Sequence, residues 1–193
     1  MSNLTIRDLE QIQNALQEAG IDRYQLELDR GELAVMGPSD IISSETTAIL
    51  LRLLGNWVYP RRWGRLFDSA GGFILPNRDL KAPDVSFVKA ERLPRSIRYF
   101  AELVPDLVVE VKSQSDRIPN LEAKIRLFIE LGATVGLLVD PDLETVTIYR
   151  SQQPEIVLGN DDTLTLQELF PGWELPVGEI WPEVFDFPES EEE

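Results

Sequence analysis

The chain has 193 residues, 43% hydrophobic and 27% charged, a composition that suits one soluble domain with a real core. It contains no cysteine and no histidine, which excludes disulfides, thiolate metal sites, thiol catalysis and imidazole as a general base. The formal net charge of −16 argues against a nucleic-acid partner, because affinity for phosphates comes from Lys and Arg.

The charge is unevenly distributed. Glu174 to Glu193 holds eight acids and no base, and without that stretch the net charge is −8. Arg61 to Arg98 holds nine of the 18 bases against four acids, a basic segment inside an acidic protein. No secretory signal or membrane span is expected, so a cytoplasmic location is the default.

In chain order, Leu9, Ile12, Leu16 and Ala19 recur at helical spacing until Gly20 stops them, predicting an N-terminal helical arm over residues 1–20. One domain is expected over 21–182. Tyr24–Leu28 and Glu32–Met36 alternate around Asp29-Arg30-Gly31 and predict a hairpin. Ser43 or Ser44 is the expected N-cap of a helix reaching about Tyr59, with Ile49, Leu50, Leu53, Leu54 and Trp57 inward. Glu45 falls in its first turn, where a carboxylate also favours the helix dipole. Short strands are expected at 64–67, 72–75 and 83–88, and a basic loop or short helix at 91–100.

Val104 to Ser113 (VPDLVVEVKS) organises the rest. It is apolar on both faces until Glu110, as a buried central strand is. Alternation puts Glu110 and Lys112 side by side on one face. Burying such a pair is costly unless something gains from it, although a strand emerging into water would also end this way. Ser115 or Asp116 is the expected cap of the next helix, with Leu121, Ile125, Phe128 and Leu131 inward and Gly132 at its end. Thr134–Asp140 reads as a strand parallel to the Val104 strand through a helical crossover, and Thr145–Tyr149 as its antiparallel partner. Strands at 155–158 and 164–169 close the domain. Residues 183–193 form an acidic tail, expected to be disordered from Pro188. The order predicts an α/β fold: a mixed sheet with helices on both faces.

Asp84, Glu110, Lys112 and Glu45 are the groups to place together. If the strands carrying Asp84 and Glu110 are neighbours, their carboxylates meet at one sheet edge. Two or three hard oxygen ligands with room for waters suit Mg²⁺ or Mn²⁺. A lysine beside them can activate water or stabilise charge on a phosphate, which fits metal-assisted phosphodiester hydrolysis without His or Cys. The simpler readings are turn chemistry for Asp84 and helix capping for Glu45.

Asp84 in APDVSFV followed by Glu110-Val111-Lys112 after PDLVV resembles the PD-(D/E)xK nuclease superfamily, with a restriction-endonuclease-like core. More closely, residues from about Tyr24 to Trp173 resemble the Uma-two endonuclease family. GELAVMGPS, PDLVVEVKSQSDR, the helix bearing Lys124 and LLVDPDLETVTIYR carry the likeness. The resemblance implies that Asp84 and Glu110 are metal ligands, that Val111 offers its carbonyl to the ion, and that Glu45 is the first-helix acid. It implies Lys112 as catalytic lysine, or Lys124, since many members use a lysine from the next helix. The chain lacks the histidine that the family commonly has near the first helix.

By the residues alone, Lys124 reads as a surface lysine lying along apolar neighbours. Arg117 reads equally as a phosphate contact or a solvated side chain, and Arg61, Arg62 and Arg65 are the expected DNA-backbone contacts of the basic segment. The expectation is therefore a Mg²⁺- or Mn²⁺-dependent DNA endonuclease. A homodimer would suit cutting of both strands, and no membrane partner is expected. The alternatives are a catalytically silent nuclease-fold module for nucleic-acid or protein binding and a hydrolase of small phosphate esters.

Overall fold

A computed structural model describes residues 3–21 and 24–185. Helix α1 (Ile6–Glu18) starts at Thr5, whose hydroxyl and Asp8's carboxylate form a reciprocal capping box. Strands β1 (Gln25–Asp29) and β2 (Glu32–Met36) pair as the expected hairpin, with Arg30 and Gly31 at positive φ in its turn. Helix α2 (Ile41–Arg61) follows, then β3 (Gly64–Asp68), β4 (Phe73–Ile74), β5 (Leu80–Lys81), β6 (Val85–Lys89) and β7 (Leu107–Val111). Helix α3 (Ile118–Glu130) precedes β8 (Val135–Asp140), β9 (Thr145–Tyr149), β10 (Ile156–Leu158), β11 (Thr163–Thr165), β12 (Glu174–Pro176) and a 3-10 turn at Val177–Ile180.

The main sheet has six strands in the order β10-β9-β8-β7-β6-β3. Only β7 and β8 run parallel, joined by α3 as the crossover, and the other neighbours are antiparallel. Leu107, Val109 and Val111 share a core with Leu50, Leu54 and Val58 of α2, together with Leu164, Phe170, Trp173 and Ile180 from the C-terminal segment. Val108 packs on the opposite face with Phe128 of α3, while Leu121 and Ile125 of α3 meet Leu138 and Tyr149. Helices thus cover both faces, as the apolar pattern of the central strand requires.

A second sheet, absent from the sequence expectation as a separate unit, has the order β2-β1-β5-β4. Leu9 of α1 packs against Leu26, Leu28 and Leu80 of this sheet, so the N-terminal helix is docked on it. The strand expected at 72–75 is reduced to two residues, β5 arises where none was expected, and β11 occupies only the start of the expected 164–169 strand. These differences fall on segments too short for alternation to carry a signal.

Two helix starts also differ from expectation. Asp40, not Ser43 or Ser44, caps α2: its Oδ1 accepts the Ser43 N–H at 3.0 Å and its Oδ2 the Gln114 N–H at 2.9 Å. Ser115 and Asp116 do not cap α3, which begins after Arg117 with Pro119 in its first turn and no side-chain cap. Asp116 instead bonds backward to the amide and hydroxyl of Ser113, closing the turn after β7. Residues 186–193, and with them the expected disorder from Pro188, lie outside the described residues.

Candidate active site

Glu110 lies on the α3 face of the sheet because it shares the parity of Val108. It is 3% exposed. On α3, Lys124 stands between the buried Leu121 and Ile125, and its inward ammonium reaches Glu110 Oε1 at 3.0 Å. That contact is an ion pair without hydrogen-bond directionality, and Oε1 of Glu110 accepts no other hydrogen bond among the described residues. Burial pushes the Glu110 carboxyl up to about 8, against the pull of Lys124 and with the help of Asp84.

Asp84 immediately precedes β6. Val85 pairs with Val109, so the register carried one residue further sets Asp84 opposite Glu110. Its Oδ2 accepts the Val111 N–H at 2.7 Å, which ties the carboxylate to the end of β7. Burial raises its pKa, while that amide and Lys124 oppose the rise. Asp84 and Glu110 thus meet at one end of two adjacent inner strands, which fulfils the condition set by the sequence.

Two further groups were not singled out from the sequence. Glu27 sits on β1 between Leu26 and Leu28, which face α1, and alternation turns it the other way. It is 3% exposed; its Oε1 accepts the Ala82 N–H at 2.8 Å and lies 3.0 Å from the Lys124 ammonium. Lys81, 4% exposed, reaches Glu27 Oε2 at 3.5 Å and Asp29 Oδ2 at 3.4 Å. Lys124 also donates to the Ala82 carbonyl at 3.1 Å. Burial works against its ammonium, yet Glu110, Glu27 and Asp84 outweigh it and hold the Lys124 pKa above the ordinary lysine range. Nothing local distinguishes Glu27 from a solvent-facing hairpin residue, and Lys81 reads as one more base of the basic segment.

Lys112 departs from its expected position. β7 ends at Val111, and beyond it the Lys112 ammonium pairs with Asp142 after β8 rather than with Glu110. It lines a shallow hollow with Asp40, Ile41, Ile42, Gln114 and Pro141. The hydrogen bond to Asp142 raises its pKa. The Lys112 amide still pairs with the Val139 carbonyl, but its side chain goes to Asp142, and the lysine beside Glu110 is Lys124.

Glu45 is exposed on α2, with no hydrogen bond or ion pair among the described residues. Arg65 is engaged internally: its guanidinium donates to the Leu93 and Pro94 carbonyls and to Ser96 Oγ. Arg92 likewise pairs with Asp106 at 2.9 Å. Arg61 lies over the Trp57 ring at 3.4 Å from its centroid, and Arg61, Arg62 and Arg117 are all exposed.

The inner cluster contains three carboxylates (Glu27, Asp84, Glu110) and two ammoniums (Lys81, Lys124), leaving one negative charge in excess when all are ionised. A proton on Glu110 cancels it, and a divalent cation would turn it into one positive charge. Among the described residues no three acidic side chains converge into a ready-made metal cage. The donor set, two carboxylates at one end of adjacent strands, is of the hard-oxygen kind that suits a divalent cation keeping several waters, with Glu110 Oε1 facing the Lys124 ammonium.

A mixed sheet with one parallel βαβ unit, an acid pair at the end of two inner strands and a lysine from the crossover helix together define a restriction-endonuclease-like nuclease fold. The crystal structure of a putative nuclease belonging to DUF820 from Anabaena variabilis ATCC 29413 matches it with a TM-score of 0.73. The two are 22% identical, over 80% of this chain and 88% of that one, a likeness of fold. The profile of the Uma2 family, described as "Putative restriction endonuclease", matches residues 9–178, and the chain belongs to that family. No curated protein matches the sequence. No helix among the described residues is long and apolar enough to cross a membrane.

Proposed function

We propose that this protein is a divalent-cation-dependent endonuclease that hydrolyses DNA phosphodiester bonds, with Lys124 rather than Lys112 as its catalytic lysine. The observation that carries this reading is the buried Lys124 ammonium, 3.0 Å from both Glu110 and Glu27, beside the strand edge that holds Asp84. Asp84, Glu110 and the Val111 carbonyl are the groups to hold Mg²⁺ or Mn²⁺. The bound ion would polarise the phosphate and make water a better nucleophile. Glu110 must shed its proton first, which its raised pKa delays toward about 8. Lys124 stays protonated throughout the neutral range and supplies positive charge for the phosphate oxygens as negative charge develops on them. The exposed Arg61, Arg62 and Arg117 are the candidates for backbone contacts; Arg65 fits that role less well because each of its three nitrogens already donates to Leu93, Pro94 or Ser96.

A catalytically silent binding module is the second reading, favoured by the net charge of −16 and the lack of a preformed acidic cage among the described residues. Plasmid nicking in Mn²⁺ separates the two. The unmodified protein should convert supercoiled to open-circular DNA, Lys124→Met should lose at least about a hundredfold in rate, and Lys112→Met should stay within a few-fold. Mn²⁺ binding without nicking would favour the silent module.

A further inference from the structure

We propose that Glu27 and Lys81, both carried by the smaller sheet, are positioning residues for Lys124, so that the N-terminal hairpin is a working part of the site. This rests on the nuclease reading for its catalytic consequence, though not for the coupling itself.

Glu27 is the junction. Its Oε1 receives the Ala82 N–H at 2.8 Å, two residues before Asp84, and faces the Lys124 ammonium at 3.0 Å. One carboxylate oxygen therefore ties the segment leading to Asp84 to the helix bearing Lys124. Its Oε2 is held by Lys81, whose other partner is Asp29 on the same β1 strand. Glu27 thereby has both oxygens occupied and its side chain restrained to one orientation. Lys124 has three oxygen neighbours, Glu110 Oε1, Glu27 Oε1 and Ala82 O, at 3.0, 3.0 and 3.1 Å. Two of the three belong to the smaller sheet or the segment it anchors. If Glu110 turns to a cation, its hold on Lys124 weakens, and Glu27 and Ala82 keep the ammonium at the mouth of the site.

A purely structural role explains this arrangement less well. Buried ion pairs are poor stabilisers compared with apolar packing of equal volume. The chain extends from Asp29 at the rim, through Lys81 and Glu27, to Lys124 and Glu110, so it ends on the chemistry rather than in the core.

The test uses the full-length chain with Glu27→Gln, Lys81→Met and Lys81→Arg. Lysine acetylation by dilute acetic anhydride, read by mass spectrometry, measures access to Lys124, with Lys89 as internal reference. We expect Lys124 to be modified at least five-fold faster in Glu27→Gln and Lys81→Met, and within two-fold of the unmodified protein in Lys81→Arg. In the nicking assay, the first two should lose more than ten-fold in kcat with KM for DNA within three-fold, and Lys81→Arg should be rescued. Unchanged Lys124 labelling in Glu27→Gln overturns the proposal, whatever happens to kcat. If Glu27→Gln does not fold by circular dichroism, the Lys81 pair decides: equal behaviour of Met and Arg variants overturns it. If the unmodified protein does not nick DNA, the nuclease reading fails, while labelling still decides the coupling.

Discussion

Replacing Lys124 by Met leaves a similar volume of apolar side chain and removes the ammonium from between two buried carboxylates. Its contacts at 3.0 Å to Glu110, 3.0 Å to Glu27 and 3.1 Å to Ala82 O are lost together. Breaking a buried ion pair by removing one partner costs about 3–5 kcal/mol. With a urea dependence of about 2–3 kcal/mol per molar, the unfolding midpoint should fall by roughly 1–2.5 M. The loss should grow with pH. Glu110 has a folded-state pKa raised to about 8 from an ordinary 4.5, so its contribution favours folding at low pH and is lost as pH rises through the folded value. Lys124 pulls that pKa down, and its removal moves it further up. The variant's deficit is therefore smaller at pH 6, where Glu110 can hold a proton, than at pH 9. Lys112→Met is the control: its partner Asp142 has a side chain 69% exposed, and such a pair is worth about 0–1 kcal/mol. Urea denaturation of all three proteins at pH 6 and pH 9 measures this directly. A Lys124→Met loss below about 1 kcal/mol, or an equal loss from Lys112→Met, would refute the argument that Lys124 is the buried charge partner.

Mn²⁺ affinity, followed by calorimetry, should rise about tenfold per pH unit below a pH of about 8 and level off above it, because Glu110 must release a proton to bind. Glu110→Gln should abolish both the binding and its pH dependence; a flat profile in the unmodified protein would count against Glu110 as a ligand. Gly136→Ala tests the seat of α3: an added Cβ would lie 2.3 Å from Ile125 Cγ2, next in sequence to Lys124. Such overpacking should cost about 1–3 kcal/mol in thermal or urea unfolding, and an unchanged midpoint would mean that α3 shifts freely. Asp40→Ala removes both the α2 cap and the tether to Gln114, for about 1 kcal/mol. Amide exchange at Ser43 and Gln114 should quicken together, and a change confined to Ser43 would show the tether to be unimportant.

Residue pattern alone reached the centre of the main sheet, strands β7, β8 and β9. VPDLVVEV is apolar on both faces, TVGLLVD follows after a helix-length crossover, and the resulting parallel pair was legible because strand parity and connection handedness are local rules. Asp84 and Glu110 could be brought together only on the condition that their strands were neighbours, and the β6–β7 register that meets the condition is a tertiary fact. The resemblance to an endonuclease family rested on these stretches and named Lys124 as one of two lysines. Choosing between the two was beyond it. Lys112 looked correct by parity, but while its amide still pairs with the Val139 carbonyl its ammonium goes to Asp142, a partner that strand alternation does not specify. Lys124 is set inward by the packing of Leu121 and Ile125, and only the distance between α3 and β7 says what its ammonium meets. Glu27 and Lys81 were the least legible of all. Each sits in an ordinary alternating or basic segment, and their burial comes from the smaller sheet meeting the main domain near Ala82. A charge's neighbours across sheets are a property of tertiary packing, because a local pattern specifies which way a side chain points and not what stands opposite it.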